Sequence, residues 1–463
     1  MQIEKGLFNG HFLQRRCEGA HAAISGSCEN EGPVIATARC GKAVLPWYQM
    51  REIGHARKGR FDAVLSGLPA GGPYTITVAC GGDSVQIREV FVGDIWLMAG
   101  QSNMEGCALM NGNAEPHPQV RCFTMARRWE TARDPLHLKL ESPDPVHGGK
   151  ALTRAAAQRL RRQAKRGAGL GIHFGRLMHQ RTGVPQGFIA TASGGTTMKQ
   201  WDPALRRLGG ESLYGSMWMS LRAVGQPIAG VLWFQGESEA LPALARAYTQ
   251  RMRRLVSAVR RDLGQPQLPW LMVQIGRFIK SGSFAETAWP DPKSWNRVQE
   301  RQRLLPKVIS NCAVVPSIDL ELDDCAHLGA AAFSILASRL ANAAAGFICG
   351  DKSVGQEISP VGIRLQAACP PHGPQIHIEF SGVVGDLKSA GFVRGFTLLG
   401  AKGHPIPVVH RVRINGGRII LQLTEKPPRG GRLAYGYGLD PSCSLTDDRG
   451  MAVPVFGPLP ISL

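Results

Sequence analysis

Apolar and polar residues alternate with a period of two near both ends of the chain. Between residues 6 and 92, short β-prone runs are separated by glycines, as in PVIATARCG, GRFDAVLSGL and GGPYTITVACGGDSVQIREVFVG. The last run alternates on both sides of its central Gly-Gly pair, which predicts a hairpin with a tight turn. After residue 346 the β pattern returns, and Asn-Gly-Gly at 415–417 between HRVRI and RIILQLTE predicts a second hairpin. Both ends of the chain are therefore predicted to be β-rich.

The middle of the chain, from Phe91 to about Gly346, has a different pattern. Continuous apolar runs alternate there with longer segments of helical spacing, such as ALARAYTQRMRRLVSAVRRDL. Repetition of strand, helix and strand predicts a parallel sheet that is covered on both faces. The runs that we predict as its strands are DIWLMAG, GFIATASGG, AGVLWFQGES, PWLMVQIGRF and CAVVPSIDLEL.

These patterns predict an α/β protein of three domains. An N-terminal β-rich domain is predicted over residues 1–88, an α/β domain over 89–345 and a C-terminal β-rich domain over 346–463. Ligands of open α/β sheets bind at the carboxyl ends of the strands, so we expect the chemistry of the protein where the central runs end.

Composition narrows the class of protein further. With 463 residues, of which 43% are hydrophobic, the chain is long enough for two or three ordinary cores. It contains no run of eighteen apolar residues and does not begin with an apolar segment, so we expect a cytoplasmic protein without membrane insertion, with export before trimming left open. Eleven scattered cysteines without a CxxC pair predict reduced thiols and no metal site. The oligomeric state is not determined by the sequence.

The chain is strongly basic, with 54 Lys and Arg against 35 Asp and Glu and a net charge of +19. Such a charge favours anionic partners, nucleic acids among them. The densest basic stretches, QRLRRQAKRG at 158–167 and RMRRLVSAVRRDL at 251–263, space their arginines like solvated helix faces and contain no interleaved aromatic residues. We therefore expect attraction to anionic surfaces or acidic glycans and no specific nucleic-acid partner.

The residues that follow the predicted central strands are those that acyl transfer requires. Ser102 follows the first run, and a serine nucleophile needs a histidine to take its proton and a carboxylate to orient that histidine. Asp324 and His327 follow the last run at a spacing of i and i+3, so one turn can bring the carboxylate to the ring. Ser102 by itself is also a typical helix N-cap, and that interpretation is the alternative.

Three groups are candidates for the oxyanion hole: the backbone N–H groups of the predicted nucleophile and of Gly195, and the side-chain amide of Gln235. Gln101, Glu237 and Trp201 are candidates for contact with the substrate. The alternatives are structural: Gln235 as a buried amide that satisfies backbone groups, Glu237 as a hydrogen-bonding support, and Trp201 as a packed aromatic residue.

A GDS triplet at 82–84 offers a second candidate nucleophile. Ser84, however, lies at the start of the return strand of the predicted N-terminal hairpin and not before a helix. We therefore expect it to be structural.

Four blocks stand at the ends of the central strands: GQSNME at 100–105, SGGT at 193–196, WFQGES at 233–238 and DDCAH at 323–327. These blocks resemble the sialate O-acetylesterase branch of the SGNH, or GDSL-like, hydrolases. The chain is also similar to this family in β segments at both ends, such as GLFNGHFLQRR and LAYGYGLDPSCSLTDDRGMAVPVF. The resemblance implies a three-layer SGNH-type (flavodoxin-like) parallel-sheet domain flanked by N- and C-terminal β-rich domains.

The resemblance also implies an activity, the removal of O-acetyl groups from sugars without a metal or organic cofactor. Ser102 then corresponds to the nucleophile and His327 to the general base. Gly195 and Gln235 correspond to the residues that complete the oxyanion hole. The sugar and the position of its acetylated hydroxyl stay open.

The acid that orients the histidine has three candidates in the sequence. Asp324 fits the DxxH spacing of the larger superfamily. Asp323 and Asp319 lie close by and remain alternatives.

Three hypotheses about function follow. The first is a serine esterase that removes O-acetyl groups from an acetylated sugar or glycan through an acetyl-enzyme intermediate. The alternative is a non-catalytic glycan-binding protein on a hydrolase scaffold. The third is an anion-binding role that follows from the net charge of +19 and predicts salt-sensitive binding.

Overall fold

The computed structural model describes residues 1–348, 350, 357–368 and 373–462. Strands in the N-terminal part alternate between buried and more exposed positions, because one face packs on an apolar core and the other faces solvent. These strands are β1 (Gln2–Lys5), β2 (Phe12–Gln14), β3 (Ala20–Ser27), β4 (Gly32–Cys40), β5 (Ala43–Val44), β6 (Arg51–Arg57), β7 (Arg60–Leu68), β8 (Gly71–Cys80) and β9 (Asp83–Gly100).

The middle part combines short buried strands with amphipathic helices. Its strands are β10 (Ala108–Leu109), β11 (Val120–Phe123), β12 (Trp129–Thr131), β13 (Arg166–Ala168), β14 (Gln186–Ala190), β15 (Gly230–Phe234), β16 (Trp270–Gln274) and β17 (Cys312–Pro316). Its helices are α1 (Ser102–Glu105), α2 (Arg154–Gln163), α3 (Leu170–Thr182), α4 (Leu213–Val224), α5 (Pro242–Leu263), α6 (Pro292–Arg303) and α7 (Ala330–Ile348). Short 3-10 helices lie at Pro46–Tyr48, Lys139–Glu141, Pro145–His147, Pro203–Glu211, Glu237–Glu239, Gly282–Phe284 and Leu305–Lys307.

The C-terminal part is again made of strands. They are β18 (Ser359–Gln366), β19 (Gln375–Ser381), β20 (Phe396–Leu399), β21 (Pro405–Ile406), β22 (Val409–Asn415), β23 (Arg418–Leu423), β24 (Arg432–Tyr435) and β25 (Phe456–Pro460). Within the described residues they form two sheets, with the orders β18-β19-β23-β22 and β21-β20-β24-β25.

Strand β9 joins the N-terminal strands to the sheet of the middle part. Its first half pairs antiparallel with β8, while its second half, residues 94–100, lies parallel between β14 and β15. The parallel strands follow the order β11-β14-β9-β15-β16-β17, and β12 pairs antiparallel with β11 at the edge. After β9 the chain first forms β11 and β14 on one side of β9 and then β15, β16 and β17 on the other side. Ligands of open α/β sheets bind where the strand order reverses in this way, which is at the end of β9.

The predicted central strands are found as β9, β14, β15, β16 and β17, and the predicted mixed α/β character with a large sheet is confirmed. Strand β11 was not predicted, because a four-residue run with an arginine in it carries little hydrophobic signal. Both predicted hairpins are confirmed. Cys80 lies opposite Asp83 where β8 turns into β9, and Asn415 lies opposite Arg418 where β22 turns into β23.

The predicted domain boundaries fall inside continuous elements. The boundary between residues 88 and 89 lies within β9, and that between 345 and 346 lies within α7. The N-terminal strands enclose an apolar core of their own, whereas the C-terminal strands share one continuous core with the α/β part. The division into three domains stays a prediction.

Among the described helices, α7 is the one that is long and apolar enough to cross a membrane by length and composition alone. In the fold, 61% of its most apolar window is buried inside the protein, and it packs on α3, β16 and β17. A core helix has the same composition, so this is weak evidence for a membrane segment.

The cysteines within the described residues are all free, and no cluster of three or more His, Cys, Asp or Glu side chains there could hold a metal ion. Cys349 and Cys369 lie outside the described residues.

Candidate active site

The turn that carries Ser102 depends on a glycine at the end of β9. Gly100 has a φ of +138°, and a Cβ at this position would lie 2.2 Å from the carbonyl oxygen of Phe234 in β15. Glycine thus allows the two strand ends to approach each other, and the N–H of Gln101 donates to the same carbonyl at 2.8 Å. The chain then turns into α1, whose first residue is Ser102.

His327 lies between Ser102 and Asp324. Its Nε2 is 3.0 Å from Ser102 Oγ, although the two residues are 225 positions apart in the sequence. Its Nδ1 is 2.9 Å and 3.0 Å from the two carboxylate oxygens of Asp324. Assigned as the tautomer with the proton on Nδ1, the ring donates to the carboxylate and leaves Nε2 to accept the serine proton. This is the relation of nucleophile, base and orienting acid.

The loop that carries His327 is held by Asp324. Its Oδ1 accepts hydrogen bonds from the backbone N–H groups of Ala326 at 3.0 Å and of His327 at 2.9 Å, as Asp side chains do in tight turns. Partial burial acts to raise the pKa of Asp324, but these bonds and the one to the ring outweigh it and lower the pKa to about 2. Arg166 Nη1 lies 3.0 Å from Asp324 Oδ2. The carboxyl is therefore ionised at neutral pH.

The two alternative acids point elsewhere. Asp323 Oδ2 accepts from the backbone N–H of Leu109 at 2.7 Å, which ties the loop to β10. Asp319 forms an ion pair with Arg339, with 2.6 Å between Oδ2 and Nη2. Of the three candidates, Asp324 is the one that contacts the histidine ring.

Asn103 is a site residue that the sequence analysis did not single out. Its side chain is buried, and Nδ2 donates to Glu237 Oε1 at 2.9 Å and to the carbonyl oxygen of Ala326 at 3.1 Å. Its Oδ1 accepts from the N–H of Leu328 at 3.0 Å. Asn103 therefore links the turn of the serine to both sequence neighbours of the histidine. Its place directly after Ser102 was the available signal.

Glu237 supports this link from the end of β15. It is buried, its Oε1 accepts from Asn103, and its Oε2 has no hydrogen-bond partner among the described residues. Burial raises the pKa of Glu237, an effect that the hydrogen bond from Asn103 reduces. Of the two roles considered for Glu237, the contacts favour hydrogen-bonding support over contact with a substrate.

The Gly194-Gly195 turn lies against the serine from the end of β14. The N–H of Gly194 donates to Glu105 Oε2 in α1, and a Cβ on Gly194 would lie 3.2 Å from Ser102 Cβ. Gly195 is exposed with a φ of +70°. The backbone N–H groups of Ser102 and Gly195 form no hydrogen bond within the described part of the chain, so both are available to an oxyanion.

Gln235 is not brought to the surface of the site, which favours its structural interpretation over the predicted role in the oxyanion hole. The residue is completely buried, and its Nε2 donates to the carbonyl oxygen of Thr196 at 3.1 Å. Its backbone carbonyl in turn accepts from Tyr248 and Gln302. Gln235 thus donates a hydrogen bond to a backbone carbonyl of the SGGT turn from the protein interior, as its alternative interpretation predicted.

The burial of Trp201 likewise favours its structural interpretation over contact with a substrate. Its ring is completely buried, packs edge to face on Trp233 at 5.5 Å between centroids and donates to Thr196 Oγ1 at 3.1 Å. A ring without exposed surface cannot stack on a sugar. Trp201 is a packed aromatic residue beneath the SGGT turn.

Gln101 bridges two strand ends. Its Oε1 accepts from the backbone N–H groups of Gly236 and Ser238, each at 3.4 Å, and only 3% of the residue is exposed. Its side-chain nitrogen has no hydrogen-bond partner among the described residues. Contact of Gln101 with a substrate stays a prediction.

A serine, a histidine and an aspartate are thus linked at the carboxyl edge of a parallel sheet, with two unpaired N–H groups beside the serine. This is the arrangement of hydrolases that use a serine nucleophile, carried here on an α/β fold. Comparison with known families agrees: the model of the family "Carbohydrate esterase, sialic acid-specific acetylesterase" matches residues 92–346, more than half of the chain. The chain belongs to this family and is a carboxylic ester hydrolase, which confirms the resemblance found in the sequence blocks.

Individual relatives cover different shares of the chain. A probable carbohydrate esterase of Arabidopsis thaliana is 29% identical over 203 residues, which are 39% of this chain and 68% of that protein. The sialate O-acetylesterase of Homo sapiens is 25% identical over 258 residues, 50% of this chain, and the match spans about half (47%) of the human protein. A solved carbohydrate acetylesterase from Xanthomonas citri has a TM-score of 0.69 at 22% identity, with 97% of both chains covered. That likeness concerns the fold.

Proposed function

We propose that the protein is a serine esterase that removes O-acetyl groups from a sugar through an acetyl-enzyme intermediate. The observation that carries the proposal is the distance of 3.0 Å between His327 Nε2 and Ser102 Oγ, with Asp324 on the other side of the ring. A serine so paired has a base that can receive its proton, which an N-cap serine does not need. Membership of the family supports deacetylation of sugars as the reaction.

In the first half of the proposed reaction, Ser102 Oγ attacks the carbonyl carbon of the acetyl group and His327 Nε2 takes the hydroxyl proton. The bond between the acetyl carbon and the sugar oxygen breaks, and His327 passes the proton to that oxygen, so the sugar leaves as an alcohol. In the second half, water attacks the acetyl-enzyme and gives a proton to His327. Cleavage of the serine ester, with return of the proton to Ser102 Oγ, releases acetate and regenerates the enzyme.

Negative charge develops on the acetyl oxygen in both halves. The backbone N–H groups of Ser102 and Gly195 are the donors that we propose for it, and the loss of one such donor typically costs about a hundred- to a thousandfold in rate. Asp324, with a pKa of about 2, stays ionised and stabilises the charged ring that forms when His327 takes the proton.

The proposed substrate is an acetylated sugar or glycan, with sialic acids among the candidates. The names of the Arabidopsis thaliana and Homo sapiens relatives support this class. The proposal includes a three-layer SGNH-type arrangement of the catalytic sheet with β-rich domains at 1–88 and 346–463. The strand order β11-β14-β9-β15-β16-β17 supports that arrangement.

Acetate release from a panel of acetylated sugars, O-acetylated sialic acids included, tests the proposal. We expect Ser102→Ala to lose at least about a thousandfold in kcat, because the nucleophile is gone. Ser84→Ala is the matched control, since Ser84 is an exposed serine at the start of β9, and it keeps the wild-type rate. Equal rates for wild type and Ser102→Ala would refute the proposal. Binding of acetylated sugars by the wild type without turnover would favour the glycan-binding alternative.

A further inference from the structure

A cavity of about 580 Å³ lies beside β11, in a volume range that small ligands occupy. Thr124, which lines the cavity, directly follows β11, so the cavity lies at the same edge of the parallel sheet as Ser102, with β14 between β11 and β9. None of the residues of the esterase site lines it. The cavity is therefore a separate feature of the sheet edge.

Arginine side chains surround this cavity, and some of them are already paired. Arg161 donates to both carboxylate oxygens of Glu141, and Arg154 Nε lies 2.8 Å from a neighbouring glutamate oxygen. Arg133 and Arg162 are exposed at the rim and have no hydrogen-bond or ion-pair partner among the described residues. Their guanidinium groups offer unused donors, which bind planar carboxylates with two parallel hydrogen bonds.

The acids of the cavity offset only part of this positive charge. Glu130 is engaged with Arg154, and Glu115 is an exposed carboxylate at the rim. Asp134 is buried, and burial raises its pKa to about 7, so it carries only part of a negative charge near neutral pH. The lining therefore favours an anion over a cation.

Neutral polar groups complete the lining. The side-chain amides of Asn113 and Gln158 have no hydrogen-bond partner within the described residues, and Thr124 Oγ1 is buried without one. An amide can donate and accept, so it matches a hydroxyl, which does the same. The apolar side chains of the lining are Pro116, Cys122 and Leu136, which can pack against the carbon-bound face of a sugar ring. The cavity thus suits a ligand with several hydroxyls and one carboxylate.

We infer that this cavity is a second ligand site, which binds a sugar that carries a carboxylate. Arg133 and Arg162 hold the carboxylate, and the amides of Asn113 and Gln158 bind the hydroxyls. The inference goes beyond the proposed esterase function, because none of these residues takes part in acyl transfer.

Calorimetric titration with D-galacturonate and D-galactose tests the inference, because the two sugars differ by one carboxylate. We expect the wild type to bind galacturonate at least about tenfold more tightly than galactose, and the preference to shrink as salt is added. In the double variant Arg133→Ala/Arg162→Ala, the affinity for galacturonate falls to that for galactose. Arg159→Ala is the matched control. Arg159 is an exposed arginine of α2, the helix that also carries Arg162, but it does not line the cavity, so we expect its variant to keep the wild-type affinity.

Equal affinity of the wild type for the two sugars, or the same loss in Arg159→Ala as in the double variant, overturns the inference. Should the alanine variant lose its circular dichroism signal, Arg133→Gln/Arg162→Gln removes the charges while keeping long polar side chains. Hydrolysis of a small acetyl ester separates this site from the proposed esterase site. We expect Ser102→Ala to lose hydrolysis and to keep galacturonate binding. We expect the double arginine variant to keep hydrolysis and to lose its preference for galacturonate. A protein that binds galacturonate but hydrolyses no ester refutes the esterase proposal alone.

Discussion

Replacement of Asn103 by alanine removes all three hydrogen bonds of a buried side chain at once. The side chain donates to Glu237 and to the carbonyl of Ala326, and it accepts from the N–H of Leu328. A neutral hydrogen bond contributes about 1 kcal/mol to stability and one to a charged group about 1.5 to 3 kcal/mol. We therefore expect Asn103→Ala to lower the free energy of unfolding by about 3 to 5 kcal/mol, measured by urea denaturation.

The same replacement loosens the loop that carries His327. Ala326 and Leu328, on either side of the histidine, lose their connection to α1, which begins at Ser102. A misplacement of about 1 Å in a reacting group can cost about a hundredfold in rate. We expect kcat on a small acetyl ester to fall by about this factor, with little change in KM, because the buried amide of Asn103 reaches no substrate.

Asn296 offers a matched control for this experiment. It is a buried asparagine like Asn103, and its Nδ2 donates to Gln299 and to the carbonyl oxygens of Gly436 and Gly438. Asn296→Ala therefore removes a similar set of bonds from another region of the fold. We expect a comparable loss of stability, with kcat unchanged at temperatures where both variants are folded.

A double variant tests whether the hydrogen bond between residues 103 and 237 itself supports catalysis, by exchanging its donor and its acceptor. Asn103→Asp sets a carboxylate against that of Glu237, and Glu237→Gln in the same chain restores an N–H donor between the two side chains. We expect Asn103→Asp/Glu237→Gln to recover part of the kcat that Asn103→Asp loses. The reasoning is refuted if Asn103→Ala reduces kcat no more than Asn296→Ala, or if the double variant is no faster than Asn103→Asp.

Two further predictions concern stability. Burial lowers the pKa of His11, His137 and His147 to about 4, so the unfolded chain binds protons below pH 6.5 that the folded protein does not. Stability is thus lost as the pH falls, by about 2 kcal/mol for each histidine between pH 7 and pH 5, and urea denaturation at the two pH values measures it. We expect Gly100→Ala to lower the free energy of unfolding by at least about 2 kcal/mol, because alanine is strained at this positive φ and its Cβ would contact β15. Gly82→Ala, where the added Cβ lies in open space, should change it little. Equal losses of stability in thermal unfolding would contradict this prediction.

Much of the fold was predictable because its signals are local. The central strands are continuous apolar runs, and the two hairpins are marked by glycine pairs that permit tight turns. Strand β11 escaped prediction because its four residues carry too little of the pattern. Because β11 was not predicted, the cavity beside it could not be predicted either. The residues that line this cavity come from four separate stretches between Asn113 and Arg162.

The sequence did not show that Gln235 and Trp201 are buried beneath the site. Gln235 directly follows β15, whose residues are all buried, so no alternation of polar and apolar residues shows which way the next side chain points. Trp201 lies eleven residues after the end of β14, in a stretch without a strand or helix pattern that would set the direction of its side chain. Both point into the core beneath the SGGT turn and meet at Thr196. Asn103 was overlooked for a different reason. Asparagine is a common turn residue, but here its buried side chain links α1 to the loop that carries His327.

The sequence by itself determined which chemical groups stand at the ends of the central strands, because strand ends and turns are properties of neighbouring residues. Only the tertiary structure decided which of these groups meet. Ser102 and His327 lie 225 residues apart, and Asp324, rather than Asp323 or Asp319, contacts the ring because Leu109 and Arg339 engage the other two carboxylates. Such contacts depend on strand order and on partners distant in the chain, which only the packing of the whole protein brings together.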